Sequence, residues 1–265
     1  MRTMSLASAK FRGCPQRKPE YFIPSQSARV THSELQSLLR QLHRLADPAV
    51  AKGAERFGIK GANVLGITAP RLRALAKTVG TNQELSLALW PTGFHEARAL
   101  AALIGDPALV SKRQMERWVR DFDNWAVCDA CCAELFIYTS YAGECAFRWS
   151  SQKEEFVKRA GFVMMASMAV HLKRLGDDKF IPMLRAIKRE STDERNFVRK
   201  AVNWALRQIG KRNSNLNLLA ILTAGQIGAI ESRSARWIAS DALRELESAA
   251  VRRRLQSREK KNRTR

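Results

Sequence analysis

The sequence predicts an all-α protein, an α-solenoid of stacked helix pairs. Apolar residues recur at helical spacing along nearly the whole chain, in segments of roughly 10–20 residues. Short turns such as "LGDD" and "STDE" join these segments, and the one strand-like stretch, "ANVLGIT", is brief enough to be a loop. Many helices of this length with short connections are typical of solenoids, although no strict repeat is visible, so the units must differ in sequence.

The helices are placed by their apolar spacing and by their end signals. "SELQSLLRQLHRLA" (33–46) opens with Ser33 and repeats leucine at helical spacing. "APRLRALAKTVG" (69–80) has a proline in its first turn and stops at Gly80, and "DPALVSKRQMERWVRDF" (106–122) has the same kind of opening. Further helices are predicted at 94–103, 124–139, 153–173, 178–190, 195–212, 215–228 and 232–250.

The charge is strongly basic, with 46 Lys and Arg against 25 Asp and Glu, a net charge of +21. We expect a flexible basic N-terminal tail (1–30), a helical-repeat domain (31–250) and a basic C-terminal tail (251–265). This balance indicates nucleic acid or an anionic membrane surface as partner, and the tails would add salt-sensitive affinity for phosphates. Tails that are merely solvated are the alternative.

Targeting and membrane signals are weak. The first 20 residues lack an apolar core, which argues against a secretory signal, but they are basic and nearly acid-free, so a transit peptide stays open. The longest apolar run, "AGFVMMASMAV" (160–170), is far short of the ~18–20 residues that span a bilayer. We therefore expect a soluble, cytoplasmic monomer that does not act at a membrane.

The stretch "DNWAVCDACCAELF", which begins at Asp123, holds three cysteines and suggests a metal site, a redox pair or simple packing. A zinc site would need further ligands at suitable spacing, and a redox CxxC would need a βα context; the sequence offers neither. On a helix over 124–139, capped by Asp123 or Asn124, one apolar stripe forms. Its members are Cys128, Cys131, Cys132, Leu135 and Phe136. We expect these thiols to pack in the core, with no metal bound.

Asp129 lies one position off that stripe, in line with Trp125 four residues earlier. A carboxylate at the edge of a buried face is unfavourable unless it has a partner or a chemical role. Two interpretations remain open for this segment alone: an ion pair with a neighbouring helix, or a functional carboxylate.

A second stretch, "ERNFVRKAVNWALRQIGKRN" (194–213), places a tryptophan away from its own core stripe. On a helix, Trp204 shares the opposite face with three cations, Lys200, Arg207 and Lys211. An indole among cations is typical of a nucleic-acid surface, whereas packing against the next repeat is the alternative. Arg159, in a strongly apolar helix, faces either the same groove or solvent.

Four segments resemble segments of the AlkD-like DNA alkylation repair proteins, and they occur along the chain in the family's order. "NWAVCD" resembles the family's Asn-Trp-x-x-x-Asp segment, and "FVRKAVNWALRQIGKRN" is similar to its Lys-Ala-x-x-Trp-Ala-Leu-Arg helix. "LGITAPRLRALAK" (65–77) resembles its early Leu-Gly element, and "KRAGFVMMA" its central arginine helix. The resemblance covers about residues 35–250 and leaves the tails outside it.

The resemblance implies HEAT-like helix pairs with a concave basic face that binds DNA. It also implies a DNA glycosylase that hydrolyses the N-glycosidic bond of N3- or N7-alkylated purines. By position, Asp129 matches the catalytic aspartate, Trp125 and Trp204 match the aromatic residues that cradle the sugar of the lesion, and Arg159 matches the supporting arginine. Phe57 stands where family members can place a tyrosine, which keeps the ring but loses the hydroxyl.

The chemistry of this reaction agrees with these residues. An alkylated purine cation is already a good leaving group, so the site needs a carboxylate to stabilise an oxocarbenium-like sugar or to orient water. We expect no metal and no organic cofactor. The expected partner is double-stranded DNA with alkylated bases, contacted by Lys200, Arg207, Lys211 and Phe57. A non-catalytic DNA-binding or scaffold protein of the same fold is the alternative.

Overall fold

The computed structural model describes residues 31–61 and 63–263, and every regular element in them is helical. The prediction of an all-α protein is confirmed. The helices are α1 His32–Arg44, α2 Pro48–Ala54, α3 Ala69–Val79, α4 Gln83–Leu89, α5 His95–Ile104, α6 Lys112–Arg120, α7 Trp125–Glu134, α8 Ala142–Ser150, α9 Glu155–His171, α10 Phe180–Arg189, α11 Asn196–Gly210, α12 Ser214–Gly228, α13 Arg233–Leu246 and α14 Ala249–Arg263. Short 3₁₀ turns lie between some of them.

The helices stack as the solenoid prediction requires. Helices α3, α5, α7, α9, α11 and α13 form one layer in chain order, each packed against the next. Helix α4 packs against α5, α8 against α9 and α12 against α13, which gives consecutive helix pairs. Because α7, α9 and α11 are neighbours in one layer, side chains far apart in the sequence meet on their shared face.

Close packing fixes the position of the central helix α9. At Gly161 an added Cβ would lie 2.4 Å from the backbone nitrogen of Ser150 and 2.8 Å from the carbonyl oxygen of Ala146, so α9 and α8 approach too closely for a side chain. On the other side of α9, Cys128 and Cys132 of α7 are fully buried and direct their thiols to carbonyl oxygens of α9. The expectation that these thiols pack in the core is confirmed, and they hold α7 and α9 in register.

Helix boundaries follow the capping signals better than the apolar spacing. The helix predicted for 106–122 begins only at Lys112, because Ser111 caps it and residues 106–110 form a turn. In that turn Asp106 Oδ1 accepts a hydrogen bond from the Ala108 amide. The helix predicted for 124–139 ends at Glu134, since Leu135 leaves helical geometry (φ −131°, ψ −60°) and a 3₁₀ turn follows. The sequence prediction did not include α2, α4, α8 and α14.

The C-terminal segment differs most from its prediction. Residues 251–265 are predicted as a basic tail, yet α14 continues through Arg263. Its apolar residues Val251 and Leu255 lie one helical turn apart and are buried, with 6% and 4% exposure. This short apolar stripe docks the helix. The predicted N-terminal tail, 1–30, lies outside the described residues.

No helix in the described part of the chain is long and apolar enough to cross a membrane.

Candidate active site

A cavity of about 430 Å³ opens where three helices of the ordered layer meet a short 3₁₀ turn. The turn is Glu55–Phe57, and the helices are α7, α9 and α11. Five of the eight predicted site residues line this cavity: Phe57, Trp125, Asp129, Arg159 and Lys200. The fold therefore brings together residues that lie more than 140 positions apart in the sequence.

Asp129 is held in place by a two-point ion pair with Arg159. Arg159 Nε lies 2.9 Å from Oδ1 of the carboxylate and Nη2 lies 2.8 Å from Oδ2. The third branch of the guanidinium, Nη1, donates to the carbonyl oxygen of Phe197 at 2.7 Å, which ties α9 to the start of α11. The Asp129 side chain keeps 22% of its surface exposed, so it faces the cavity, whereas that of Arg159 keeps only 8%.

Burial and the ion pair act in opposite directions on these two groups. Burial raises the pKa of Asp129 above its ordinary value, and the guanidinium of Arg159 partly offsets this rise. Burial alone would lower the pKa of Arg159, but the Asp129 carboxylate raises the pKa of this guanidinium above its ordinary value. The Asp129 carboxylate is therefore a weaker acid than an exposed aspartate.

Asn124 explains why Trp125 and Asp129 sit where they do. Its side-chain oxygen accepts hydrogen bonds from the amides of Ala126 and Val127, at 3.0 and 3.1 Å, and caps the start of α7. Of the two predicted caps, Asp123 and Asn124, the structure selects Asn124. The cap starts the helix at Trp125, so Asp129 follows one turn later on the same side.

Aromatic rings form one wall of the cavity. Trp125 Nε1 donates to the carbonyl oxygen of Phe57 at 2.8 Å, which holds the 3₁₀ turn against α7. Phe57 itself is 57% exposed, and the guanidinium of Arg56 lies 5.0 Å from its ring centre. Gly58 follows with φ +82°, a conformation that favours glycine, and a Cβ there would lie 3.1 Å from Cζ of Phe197, so that ring would have to shift slightly.

Four lining residues were not predicted from the sequence: Arg56, Gly58, Asn196 and Phe197. Gly58 carries a usable signal, since glycine is a strong marker of turns. Asn196 and Phe197 carry none, because they precede the apolar stripe of α11 and face the cavity only after α9 packs beside them.

Lys200 supplies the one predicted cation that remains available at the cavity. It is exposed on α11, and within residues 31–61 and 63–263 it makes no ion pair or hydrogen bond of its side chain. An unpaired ammonium group beside an aromatic cavity can take a phosphate oxygen.

Three predicted residues lie outside the cavity. Trp204, one turn beyond Lys200, is half-buried and packs against the hydrophobic core, as the alternative interpretation of this residue expects. The two cations further along α11 are paired instead of free. Arg207 contacts Glu245 Oε2 at 2.8 Å and Asp241 Oδ2 at 3.3 Å, and Lys211 contacts Glu245 Oε1 at 2.6 Å.

This pairing bears on the prediction that Lys200, Arg207 and Lys211 contact DNA, because two of the three already have carboxylate partners. Asp241 and Glu245 come from α13, the next helix of the layer, which packs against α11. The spacing of α11 alone shows which face Arg207 and Lys211 occupy. It cannot show that a neighbouring helix places carboxylates on that face.

The cysteines form the wall behind the carboxylate. Burial raises the pKa of Cys131 and Cys132 well above the ordinary thiol value, so both stay neutral. In the described part of the chain no group of three or more His, Cys, Asp or Glu residues is arranged to hold a metal ion.

Comparisons with known proteins agree with the fold. A family model described as "DNA alkylation repair enzyme" matches residues 38–246. A solved structure described as "A new family of proteins related to the HEAT-like repeat DNA glycosylases with affinity for branched DNA structures" superimposes with a TM-score of 0.70 at 20% identity. The match covers 83% of this chain and 95% of that one, and at this identity it shows the fold alone. A comparison with curated proteins found no match.

Proposed function

The chain belongs to the DNA alkylation repair enzyme family, and from this premise we propose that it is a DNA glycosylase. The proposed reaction is hydrolysis of the N-glycosidic bond of N3- or N7-alkylated purines in duplex DNA. The observation that carries the proposal is the Asp129 carboxylate, fixed by Arg159 at a cavity with aromatic walls. Neither a metal nor an organic cofactor enters the reaction.

The carboxylate has the charge and the rigidity that this reaction needs. An alkylated purine leaves as a neutral base, so positive charge develops on the sugar as the glycosidic bond breaks. Asp129 opposes that charge, and because Arg159 already fixes its orientation, it needs little rearrangement during the reaction. Its part-exposed oxygens can also orient the attacking water.

The aromatic residues are suited to a positively charged nucleotide. The faces of Trp125 and Phe57 attract a nearby cation by roughly 0.5–2 kcal/mol each. A hydrogen bond from Trp125 Nε1 to the Phe57 carbonyl orients the indole and holds the turn that carries Phe57. The cavity volume of about 430 Å³ is within the usual range for small-ligand sites, and it can enclose a nucleotide sugar.

The cations of α11 differ in their proposed roles. Lys200 contacts a phosphate next to the lesion, since it is exposed and unpaired within the described residues. Trp204, which is half-buried, contacts the neighbouring sugar-phosphate with the part of its surface that stays accessible. Lys211 reaches a phosphate only by exchanging the Glu245 carboxylate for it, and Arg207 only by leaving both Glu245 and Asp241.

A second candidate is a DNA-binding protein without glycosylase activity. One observation favours it: both oxygens of Asp129 already accept hydrogen bonds from Arg159, as in a purely structural ion pair. The similar solved structure is described as having affinity for branched DNA structures. Under this candidate the chain binds branched DNA through the same surface and leaves the glycosidic bond intact.

An excision assay separates the two candidates. Purified protein is incubated with an alkylated duplex, and the released 3- and 7-alkylpurines are measured beside binding to an intact duplex and a four-way junction. Release by the wild type that is abolished in Asp129→Asn supports the glycosylase. Binding without any release, with the junction preferred, supports the second candidate.

A further inference from the structure

We propose that α14, together with the loop that follows α9, forms a second surface that binds the phosphate backbone of duplex DNA outside the cavity. Helix α14 lies beyond the region that the family model matches, which ends at residue 246. The proposal rests on the proposed function only in taking duplex DNA as the partner.

The helix is docked to the domain, which separates it from a freely moving basic tail. Val251 and Leu255 are buried, and α14 packs against α13. Arg258 Nη1 donates to the carbonyl oxygens of Lys211 and Arg212, at 3.1 and 3.2 Å, where α11 ends. A guanidinium is favourable at the carbonyl end of a helix, so Arg258 fixes α14 against the end of α11.

The loop after α9 joins the same surface. The Arg212 guanidinium donates hydrogen bonds to carbonyl oxygens of this loop and of the last turn of α9. Those of Leu172 and Lys173 lie at 2.9 and 2.8 Å. Arg212 therefore connects the loop to the point where Arg258 docks α14. Lys173 and Arg174 belong to this loop, and Arg174 is exposed.

Most of the positive charge of this surface lies on α14, since the loop after α9 also holds Asp177 and Asp178. Helix α14 has seven basic residues against one acidic residue, Glu259. Arg252, Arg253 and Arg254 are all exposed, and none forms an ion pair within the described residues. Burial and the nearby charges of Arg258, Arg212 and Arg254 all lower the pKa of Lys173, which indicates that these cations repel one another. A row of phosphates would relieve this repulsion.

The placement of the apolar residues favours nucleic acid over a lipid surface. A helix that binds at a membrane interface turns an apolar face to the lipid. In α14 the apolar residues Val251 and Leu255 face the protein and are already buried. Among residues 252–260 the exposed side chains are polar or charged and mostly basic, which suits phosphates that are contacted by charge alone.

The distance to the cavity fits one continuous duplex. Lys200 at the cavity and Lys211 beside the Arg258 contact lie on one face of α11, since eleven residues are close to three full turns. At 1.5 Å per residue they are about 16 Å apart along the helix axis, roughly five base pairs of B-DNA. A duplex with its lesion at the cavity is thus long enough to reach α14.

The test compares two charge-matched triple variants of the full chain. In one, Arg252, Arg253 and Arg254 are replaced by glutamine. In the control, Arg113→Gln, Arg117→Gln and Arg120→Gln remove the same charge from α6, outside the cavity. Affinity for an unmodified duplex of about 25 base pairs, several times longer than the reach of roughly 16 Å, is measured across a salt series. Circular dichroism and thermal unfolding check that each variant folds.

The quantity compared is the salt slope, the slope of log K for DNA binding against log salt concentration. We expect it to be less negative by about 0.9 for each phosphate that is no longer neutralised, or by about 2.7 for the α14 variant. The slope of the α6 control should change by less than about 0.9. A second variant, Lys173→Gln with Arg174→Gln, should make the slope less negative by up to about 1.8. It tests the same surface independently if the α14 variant undocks. Equal slopes in the α14 and α6 variants overturn the proposal.

Two further outcomes are distinguished. Binding to vesicles of anionic lipid that requires the α14 arginines, with an unchanged DNA slope, also overturns the proposal and identifies a membrane surface. Absence of alkylpurine release by the wild type contradicts the proposed glycosylase but leaves the slope comparison intact, because binding to an unmodified duplex needs no excision.

Discussion

Arg159 and Asp129 form a two-point ion pair between α9 and α7, with Nε–Oδ1 and Nη2–Oδ2 distances of 2.9 and 2.8 Å. The same guanidinium donates to the Phe197 carbonyl of α11 at 2.7 Å. One side chain thus joins three helices of the layer and fixes the direction of the carboxylate at the cavity. Helix packing and the geometry of the proposed reaction depend on the same contact.

Replacing Asp129 by asparagine should lower excision on the order of 10²–10³-fold, because the variant lacks the charge that opposes the developing sugar cation. Release of alkylpurine in single-turnover assays measures this effect. The matched control is Glu134→Gln, which removes a partly exposed carboxylate, paired with Arg73, from the same helix outside the cavity. Equal activity of Asp129→Asn and Glu134→Gln would falsify a catalytic role for Asp129.

Arg159→Ala should destabilise the fold by roughly 3 kcal/mol, since it leaves a mostly buried carboxylate without its partner. Urea unfolding at neutral pH measures the change. Arg73→Ala is the control, because Arg73 also pairs with a carboxylate of α7 but on the surface, where a pair contributes at most about 1 kcal/mol. A similar loss of stability in the two variants contradicts the importance of the buried pair.

Excision should fall in mild acid, at a pH above the ordinary aspartate pKa of 3.8. Burial raises the pKa of Asp129, so this carboxylate takes up its proton at a higher pH than an exposed aspartate, and only the ionised form is active. Rates corrected for spontaneous base loss give the profile. Arg159→Gln should shift the acid limb further upward, because the guanidinium lowers the pKa of Asp129; an unshifted limb in this variant contradicts the assignment.

The two tryptophans should differ in effect. Trp125→Ala removes a cavity wall and the hydrogen bond that holds the Phe57 turn, so excision should fall strongly. Trp204→Ala should weaken lesion processing less, without unfolding the chain, because this residue lies outside the cavity and is only half-buried. The comparison is made by measuring excision rates and thermal midpoints of both variants. A large stability loss in Trp204→Ala would assign it to packing alone.

Glu245→Gln should strengthen DNA binding several-fold at low salt. The change releases Lys211 and weakens the hold on Arg207, which makes the salt slope more negative by about 0.9 for each cation that reaches a phosphate. Glu247→Gln is the control, since it removes the same charge from a position just beyond α13. Identical slopes in these variants place Arg207 and Lys211 away from the DNA.

The helical architecture was largely predictable, because apolar spacing and caps are local signals. Gly80 ends α3, and the cysteine stripe of α7 is buried, both as predicted. The errors in the predicted helices fall where a local hydrogen bond or a short apolar pattern determines the structure. The turn at Asp106 resembles a helix start, and α14 carries too few apolar residues for its pattern to be recognised.

The sequence by itself determined which face of each helix is apolar and which residues stand apart from that face. Asp129, Trp125, Arg159 and Lys200 were identified in this way and through the family resemblance. Sequence spacing fixes the direction of a side chain around its own helix axis, since 3.6 residues make one turn.

Only the tertiary structure decided which of these residues meet. In the folded chain Asp129 pairs with Arg159, and Phe197 and Arg56 line the cavity. Arg207 and Lys211 form ion pairs with carboxylates of α13. The physical reason is that ion pairs and cavity walls form between helices. Their partners are set by how the layers pack, which the periodicity of a single helix does not contain.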